Sequence, residues 1–361
     1  MIRAAFFAPL KAPDHPVPSG DREMGRALLA ALSHAGIEAK TVSHIRLYDG
    51  RGDAVRQADL QEQAAAEIAR LVPLLKGACD LWISYHNYYK SPDLIGPHVA
   101  RQLGVPYVQI ETSRARSRLT GPWASFAAAA EAASDAADLI FYLTALDAET
   151  LERDRVDGQK LVHLAPFLPR SGVGPQAAPG SGTRLLAVGM MRDDVKRQSY
   201  GIIAETLACL TARGWTLDVV GDGPARAAIE ADMAPFADRV TFHGRLDRED
   251  LPAVYAAHDI FFWPGVNEAY GMVYLEAQAA GLPVVAQDGP GVREVVPAEG
   301  MVPVGAGPDG LARALDALIA DTSLRTARGT SARRKVTDCH LLPAAARTLA
   351  DGIATVLERA A

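Results

Sequence analysis

The chain has 361 residues, about twice the size of an ordinary domain, so two domains are expected. Apolar residues make up 49%, charged residues 22% and aromatics 6%, which excludes a disordered chain and an aromatic-rich binding surface. The net charge of −6 divides into −1 over the first 170 residues and −5 over the rest; neither part is basic, which argues against nucleic acid as the main partner.

Ile2–Pro9 is an apolar run that predicts a buried strand. A helix is predicted over Asp21–Ala35, with Met24, Leu28 and Leu32 on one face and Gly36 as its stop. Glu62–Lys76 predicts a second helix, Asp80–Ser84 and Pro106–Ile110 short strands, and Asp138–Leu143 a third apolar run. Pro169–Thr183 breaks this pattern. It is rich in Pro, Gly and Ser, has no apolar period, and reads as a hinge-like linker. The alternation then restarts, with strands predicted at Leu185–Val188, Leu217–Val220, Val240–Phe242, Ile260–Trp263 and Pro283–Ala286, and a helix over Ile202–Arg213. Leu341–Arg359 reads as a last helix. Strand–helix alternation of this kind predicts open parallel α/β sheets. The expected plan is a first doubly wound domain over residues 1–168, a linker over 169–183, a second domain over 184–335, and a segment 336–361 whose helix crosses back to the first domain. Ligands of such sheets sit at the carboxyl ends of the strands, so the expected site is the cleft between the domains.

Several chemistries fail their sequence test. There is no Gly-x-x-x-x-Gly-Lys-Ser/Thr loop and no Gly-x-Ser-x-Gly elbow. Gly221-Asp222-Gly223 follows a strand, but Pro224 comes next and Arg226 takes the third glycine's place, so a dinucleotide fingerprint is incomplete. The nine histidines form no His-x-x-x-His pair and no Cys/His cluster, and no Asp-x-Asp occurs, so no metal is expected. Cys79, Cys209 and Cys339 lie far apart and suit a reducing compartment. Pro9, Lys11, Pro13 and Asp14 stop the N-terminal apolar stretch short of a signal peptide's core, and no run is long enough to span a bilayer. A cytoplasmic location is expected, which does not contradict peripheral contact with the inner face of a membrane.

The informative stretch is Phe261–Ala286. A strand is predicted to end at Trp263, and the loop Pro264–Asn267 delivers Glu268. A helix is predicted to start near Tyr270 and stop at Gly281. Its first amides, at Tyr270, Gly271, Met272 and Val273, then face the strand-end cleft, where an anion is held. Gly271 removes a side chain where a ligand approaches. Glu276 lies eight positions after Glu268, so two carboxylates flank one phosphate-sized site. Carboxylates accept hydrogen bonds from hydroxyls and repel phosphate, which suits the sugars on either side of it. The plainer alternative, a helix-dipole carboxylate and a solvated glutamate, accounts poorly for both together with Gly271 and the Gly-Leu-Pro-Val-Val restart.

This stretch resembles the Glu-x7-Glu motif of the retaining glycosyltransferases of family four, which have the GT-B fold. The resemblance extends upstream through Val219–Arg226 and Thr241–Leu246, and downstream through Gly289–Val296, covering about half the chain. There are departures. Ala269-Tyr270 stands for the common Gly-Phe, and Trp263-Pro264-Gly265-Val266 for the commoner Pro-Ser. The family's Gly-Arg…Lys appears as Gly189…Arg192…Lys196, with the arginine moved two places along.

The resemblance implies two Rossmann-like domains, and transfer of a hexosyl-type group from a nucleoside-diphosphate sugar, of UDP or GDP type, with retention and without a metal or cofactor. It implies donor contacts from Glu276 to the ribose, from Gly244, Arg245 and Leu246 near the base, and from Arg192 and Lys196 to the diphosphate, with Arg197 a substitute for Lys196. Glu268 and the Ala269, Tyr270, Gly271, Met272 and Val273 amides then hold sugar hydroxyls and phosphate. In the first domain, Pro18-Ser19-Gly20-Asp21 stands where relatives carry a glycine-rich loop near the donor phosphates; Ser19 and Gly20 equally suit a helix cap. Tyr85–Lys90 follows a strand, as the family's Asp-x-x-His-x-His segment does, so the resemblance places His86 on the transferred sugar, against the alternative of a surface histidine. Arg114, Arg116 and Arg118 either meet an anionic acceptor or lipid head group or are solvated. The acceptor is not named by the sequence: a glycan, a lipid-linked sugar and a small molecule all remain. A sugar-nucleotide epimerase and a non-catalytic sugar-nucleotide-binding protein are the alternatives in function.

Overall fold

The computed structural model describes residues 1–17, 19–177, 180 and 182–360. Pro18, beside the predicted loop at Ser19, and Ala178, Pro179 and Ser181 of the predicted linker lie outside the described residues. The chain forms two compact units, one of Met1–Ala165 with Leu342–Ala361 and the other of Pro166–Leu341.

In unit 1, β1 (Ile2–Phe7) leads to α1 (Gly20–His34), β2 (Ile37–Thr41), α2 (Ala54–Leu75), β3 (Leu81–Asn87) and α3 (Gly96–Leu103). Then come β4 (Tyr107–Thr112), α4 (Ala124–Ala136), β5 (Leu139–Tyr142), α5 (Ala145–Arg153) and β6 (Lys160–His163). The strands are parallel in the order β2-β1-β3-β4-β5-β6. The order reverses at β1, so a crevice opens beyond the carboxyl ends of β1 and β3. The α1 helix buries Met24, Leu28 and Leu32 as its period predicts, and the Ser19 hydroxyl accepts from the Arg22 amide at 3.3 Å, which makes Ser19 its N-cap. Gly36 follows with φ +77°, where a side chain is strained. The second helix starts at Ala54, not Glu62, because the Asp53 carboxylate caps the amides of Val55 and Arg56. β3 runs three residues past the predicted Ser84, which puts His86 on the strand's end. Trp82, Ile95, Phe126 and Ile140 pack between sheet and helices, and burying each such side chain contributes about 1.5–3 kcal/mol.

In unit 2, β7 (Arg184–Val188) is followed by α6 (Val195–Cys209), β8 (Thr216–Val220), α7 (Arg226–Met233), β9 (Val240–Gly244), α8 (Leu251–Ala256) and β10 (Ile260–Phe262). The rest is α9 (Met272–Ala279), β11 (Val284–Gln287), α10 (Pro290–Val295), β12 (Met301–Val302), α11 (Gly307–Ala320) and α12 (Thr322–Cys339). The parallel order is β9-β8-β7-β10-β11-β12, so the switch point lies between β7 and β10. Strands buried on both faces read as continuous apolar runs, which is why Ile260–Phe262 and Val284–Ala286 were legible. The last helix, α13 (Leu342–Ala360), packs on α1 and β5 of unit 1, with Gly352 against the Phe141 ring.

Two boundaries differ from the sequence expectation. Val336–Cys339 complete α12, and the helix of unit 1 begins at Leu342. The Pro- and Gly-rich stretch belongs to unit 2 and is bonded to it. The Leu168 amide donates to His340 O at 2.9 Å, Ala177 to Ala280 O at 2.7 Å, and the Arg333 guanidinium to Gly174 O at 3.0 Å.

Candidate functional site

At the switch point of unit 2 a pocket of about 270 Å³ opens between the ends of β7 and β10. Lys196, Arg245, Leu246, Glu268, Gly271, Met272 and Val273 line it, together with apolar Val188, Val220 and Leu251. Seven sequence-predicted residues from three separate segments therefore converge on one cavity. Its floor depends on close backbone packing. Gly221 has φ +143°, and a Cβ there would sit 1.9 Å from Gly189 O, while one at Gly223 would sit 2.4 Å from Met191 O, so both glycines are needed for the loops after β7 and β8 to touch.

Glu268 lines the pocket together with Lys196. Its Oε1 accepts from the Trp263 indole N–H at 2.9 Å and contacts the Lys196 ammonium. Glu268 and Lys196 side chains are only 11% and 15% exposed, so each charge offsets part of the cost of burying the other. Lys196 also lies 5.4 Å from the Trp263 ring centroid, a cation–π distance. Trp263 is itself fixed. Tyr200 packs edge-on to it at 5.0 Å and donates to Gly189 O at 2.7 Å, Tyr274 donates to Trp263 O at 3.0 Å, and a Cβ at Gly189 would meet the indole at 2.8 Å. The departure from Pro-Ser at Trp263 is thus the feature that holds Glu268. Sequence reasoning gave Trp263 no role, because a strand-end tryptophan reads as core.

The α9 helix begins at Met272, two residues later than predicted, with Gly271 as its N-cap at φ +69°. The Tyr274 amide turns back to Gly271 O at 3.0 Å, so the Met272 and Val273 amides, not those of Ala269 and Tyr270, open the helix toward the pocket. Ala269 and Tyr270 do not line the pocket; the carbonyls of Glu268 and Ala269 rest on Gly291, where a Cβ would lie 2.2 and 2.0 Å from them.

Glu276 sits one turn further along α9 and accepts from the buried Tyr255 hydroxyl at 3.0 Å through Oε2. Burial pushes its carboxyl above the usual range, opposed by that hydrogen bond and by the Arg248 and Arg170 charges. Burial likewise lowers the Arg170 guanidinium, opposed by Glu276. Tyr255 is a second residue that sequence reasoning passed over; no spacing rule links it to Glu276. Gly244 ends β9 with φ +70° beside the Arg226 guanidinium, outside the pocket lining. Arg192 is exposed, lies outside the lining, and pairs with Asp194 at 3.2 Å; Arg197 pairs with Asp232.

In unit 1, His86 is the next-to-last residue of β3, with φ +68°, and its Nδ1 lies 3.2 Å from Asp21 Oδ1 on α1. Gly20 opens α1 and is exposed; a Cβ there would meet nothing, so the fold does not need glycine at this position. The Arg114 guanidinium is 0% exposed and bonded to Glu131 and Asp135 at 2.9 and 2.6 Å, so it braces α4 and does not offer itself to an anion. Arg116 pairs with Asp154 at 3.2 Å, and Arg118 lies 5.2 Å from the Tyr89 ring centroid. Among the described residues no three His, Cys, Asp or Glu side chains converge as metal ligands, and no helix is long and apolar enough to cross a membrane.

Residues 182–321, which lie within unit 2, match the family model described as "Glycosyl transferases group 1". The chain is 37% identical over 126 residues to the GDP-mannose-dependent monoacylated alpha-(1-6)-phosphatidylinositol monomannoside mannosyltransferase of Corynebacterium glutamicum, covering 33% of each chain. It is 31% identical over 220 residues to the 2-deoxystreptamine glucosyltransferase of Streptomyces kanamyceticus, covering 54% of this chain and 55% of that one. The chain thus spans about a third to half the length of these curated relatives. Sucrose-phosphate synthase from Thermosynechococcus elongatus superposes with a TM-score of 0.71 at 19% identity, over 99% of this chain and 100% of that one. That likeness is one of fold: two parallel α/β units of the GT-B glycosyltransferases.

Proposed function

We propose that the chain is a retaining glycosyltransferase that moves a sugar from a UDP- or GDP-type nucleotide sugar to an acceptor, without a metal. The observation that carries this reading is the pocket at the switch point of unit 2. It combines a lysine, a glutamate and a helix N-terminus within about 270 Å³. Lys196 and the Met272 and Val273 amides supply positive potential for the diphosphate, which a metal-free site needs. Arg192 is assigned to the diphosphate as well, reached by releasing Asp194. Glu276 accepts the ribose hydroxyls, and Arg245 and Leu246 lie at the base end, with Gly244 shaping that turn.

Glu268 then has two partners in succession. Without donor it neutralises Lys196; with donor, the diphosphate takes Lys196 and the freed carboxylate accepts sugar hydroxyls, already oriented by Trp263. The resemblance implies front-face substitution, in which the leaving phosphate helps to deprotonate the acceptor. Glu268 therefore positions the sugar and does not attack it. His86 of unit 1 contacts the transferred sugar in this reading, with Gly20 near the donor phosphates. The acceptor is a glycan, a lipid-linked sugar or a small molecule, and the reaction is cytoplasmic, with peripheral membrane contact allowed.

The test is release of nucleoside diphosphate from UDP-glucose and GDP-mannose in excess chelator, with and without a mixed acceptor panel. Acceptor-dependent release with retained anomeric configuration is expected. Sugar isomerisation without release supports an epimerase, and binding without turnover under all conditions supports a binding protein; either overturns the reading.

A further inference from the structure

His86 and Glu111 stand side by side at the carboxyl edge of unit 1. The β3–β4 register pairs Tyr85 with Ile110 and Asn87 with Thr112, which sets His86 against Glu111. Both have left-handed backbones, φ +68° and +57°; the only other such non-glycine among the described residues is Asn267, in the loop that delivers Glu268. A branched or long side chain in this region costs stability, and nothing in the turn chemistry here demands it. Such strain persists where the surroundings over-determine it, and it gathers at functional sites. Asp93, in the loop after β3, accepts from the Tyr107 hydroxyl of β4 at 2.7 Å and from the Ile95 and Gly96 amides at 3.0 and 2.7 Å and contacts the Ser84 hydroxyl of β3, which ties β3 to β4.

The Glu111 carboxylate takes a hydrogen bond from Tyr85, but one polar atom of each partner is not spent on the fold. Glu111 Oε2 is shielded from solvent and has no hydrogen-bond partner among the described residues. His86 Nδ1 is likewise shielded; it faces Asp21 at 3.2 Å without a well-directed hydrogen bond. We infer that Glu111 is a positioning residue which, with Asp21, fixes the His86 imidazole at this edge as a proton-bearing donor to the substrate. The inference rests on the transferase reading, which puts His86 on the sugar.

The charges agree. Burial works against the His86 imidazolium, but Glu111 on β4, Asp21 on α1 and Asp147 on α5 outweigh it and hold the ring above its ordinary value. Burial raises the Glu111 carboxyl, which His86 and Tyr85 oppose and Asp147 and Asp21 reinforce. Asp21 is held low by His86, with Lys11 assisting. Tyr88 packs on the ring at 4.9 Å, and Asp147 is occupied by Ser113 and Thr144 at 2.8 and 2.6 Å. A proton-bearing His86 donates to a sugar oxygen or a leaving phosphate and is no base for the acceptor.

The experiment has substrate-free and turnover arms. Glu111→Gly removes the strain and the shielded carboxylate, so it should melt at or above wild type while losing turnover. In the intact protein, the His86 imidazole, followed by NMR, should titrate above an ordinary histidine and fall in Glu111→Gln. In UDP-glucose or GDP-mannose hydrolysis, Glu111→Gln should cost ~10-fold in rate, a charge-assisted bond's worth, with nucleoside diphosphate affinity unchanged. Glu111→Asp should recover part of that loss. The double variant with His86→Ala should be no slower than His86→Ala alone. A Glu111→Gly variant that melts well below wild type, a His86 titration indifferent to Glu111, or additive rate losses would each overturn the pairing. If wild type turns over neither donor, the transferase reading fails, and the melting and titration arms still decide whether Glu111 holds His86.

Discussion

On the proposed reading the donor site turns on Trp263 and Glu276, and each predicts a dissociation between affinity and something else. Trp263→Phe removes the indole N–H that Glu268 accepts, while the ring contacts with Tyr200 remain. A hydrogen bond to a charged group is worth about 1.5–3 kcal/mol, so donor turnover should fall ~10-fold or more. Affinity for the bare nucleoside diphosphate, measured by calorimetry, should stay within about twofold; an equal loss in both would place Trp263 on the diphosphate. Glu276 behaves differently because burial holds its carboxyl above the ordinary range. A carboxyl raised in the folded state favours folding at low pH and loses that contribution as pH rises, so ionised Glu276 is a cost at neutral pH. Glu276→Gln should therefore melt at or above wild type at pH 7, yet bind nucleoside diphosphate ~10-fold more weakly. In wild type the affinity should weaken on acidification at a higher pH than an ordinary carboxylate would give. A Glu276→Gln variant with wild-type affinity removes the ribose assignment.

At the scale of elements, the loop Pro264–Gly271 is held in place by the turn that follows β11. The carbonyls of Glu268 and Ala269 lie where a Cβ of Gly291 would sit, at 2.2 and 2.0 Å. Gly291→Ala must push this loop off α10, an overpacking cost of about 1–3 kcal/mol. It should lower both the melting temperature and donor turnover although Gly291 is not among the residues lining the unit 2 pocket; a variant with normal stability and turnover would show that the loop is not so constrained. How far elements were legible follows from what reports them. Central strands such as β7, β8, β10 and β11 were legible within a residue or two, because both faces are apolar. The edge strand β2, Ile-Glu-Ala-Lys-Thr, buries only Ile37 and left no apolar run. The α4 helix is mostly alanine, so its buried and exposed faces look alike, and α12 buries Arg325 through bonds to Leu318 O and Gly180 O, a solution that hydrophobic period cannot report. Glu268 and Glu276 could be singled out from spacing alone because they sit on one loop and one helix. Trp263, Tyr255, Asp21 and Glu111 act across elements and needed coordinates.

At the scale of the whole molecule, each unit reverses its strand order once, and the candidate residues gather at those two places. In unit 1 they are His86, Glu111 and Asp21; in unit 2 they are Lys196, Glu268 and the start of α9. The fold class followed from strand–helix alternation, whereas the division of the chain did not follow from composition. Pro169–Thr183 has linker composition but is bonded into unit 2. The central claim is that unit 2 holds a nucleoside diphosphate through Lys196 and the α9 amides at the pocket and through Glu276, which lies one turn along α9 and outside the pocket lining. Calorimetric titration of UDP and GDP into the intact protein in excess chelator tests it most directly. The account predicts that one of them binds with no metal present, that Lys196→Ala weakens it, and that Glu276→Gln weakens it by ~10-fold. Binding of neither nucleotide, or binding only when magnesium or manganese is restored, would contradict it.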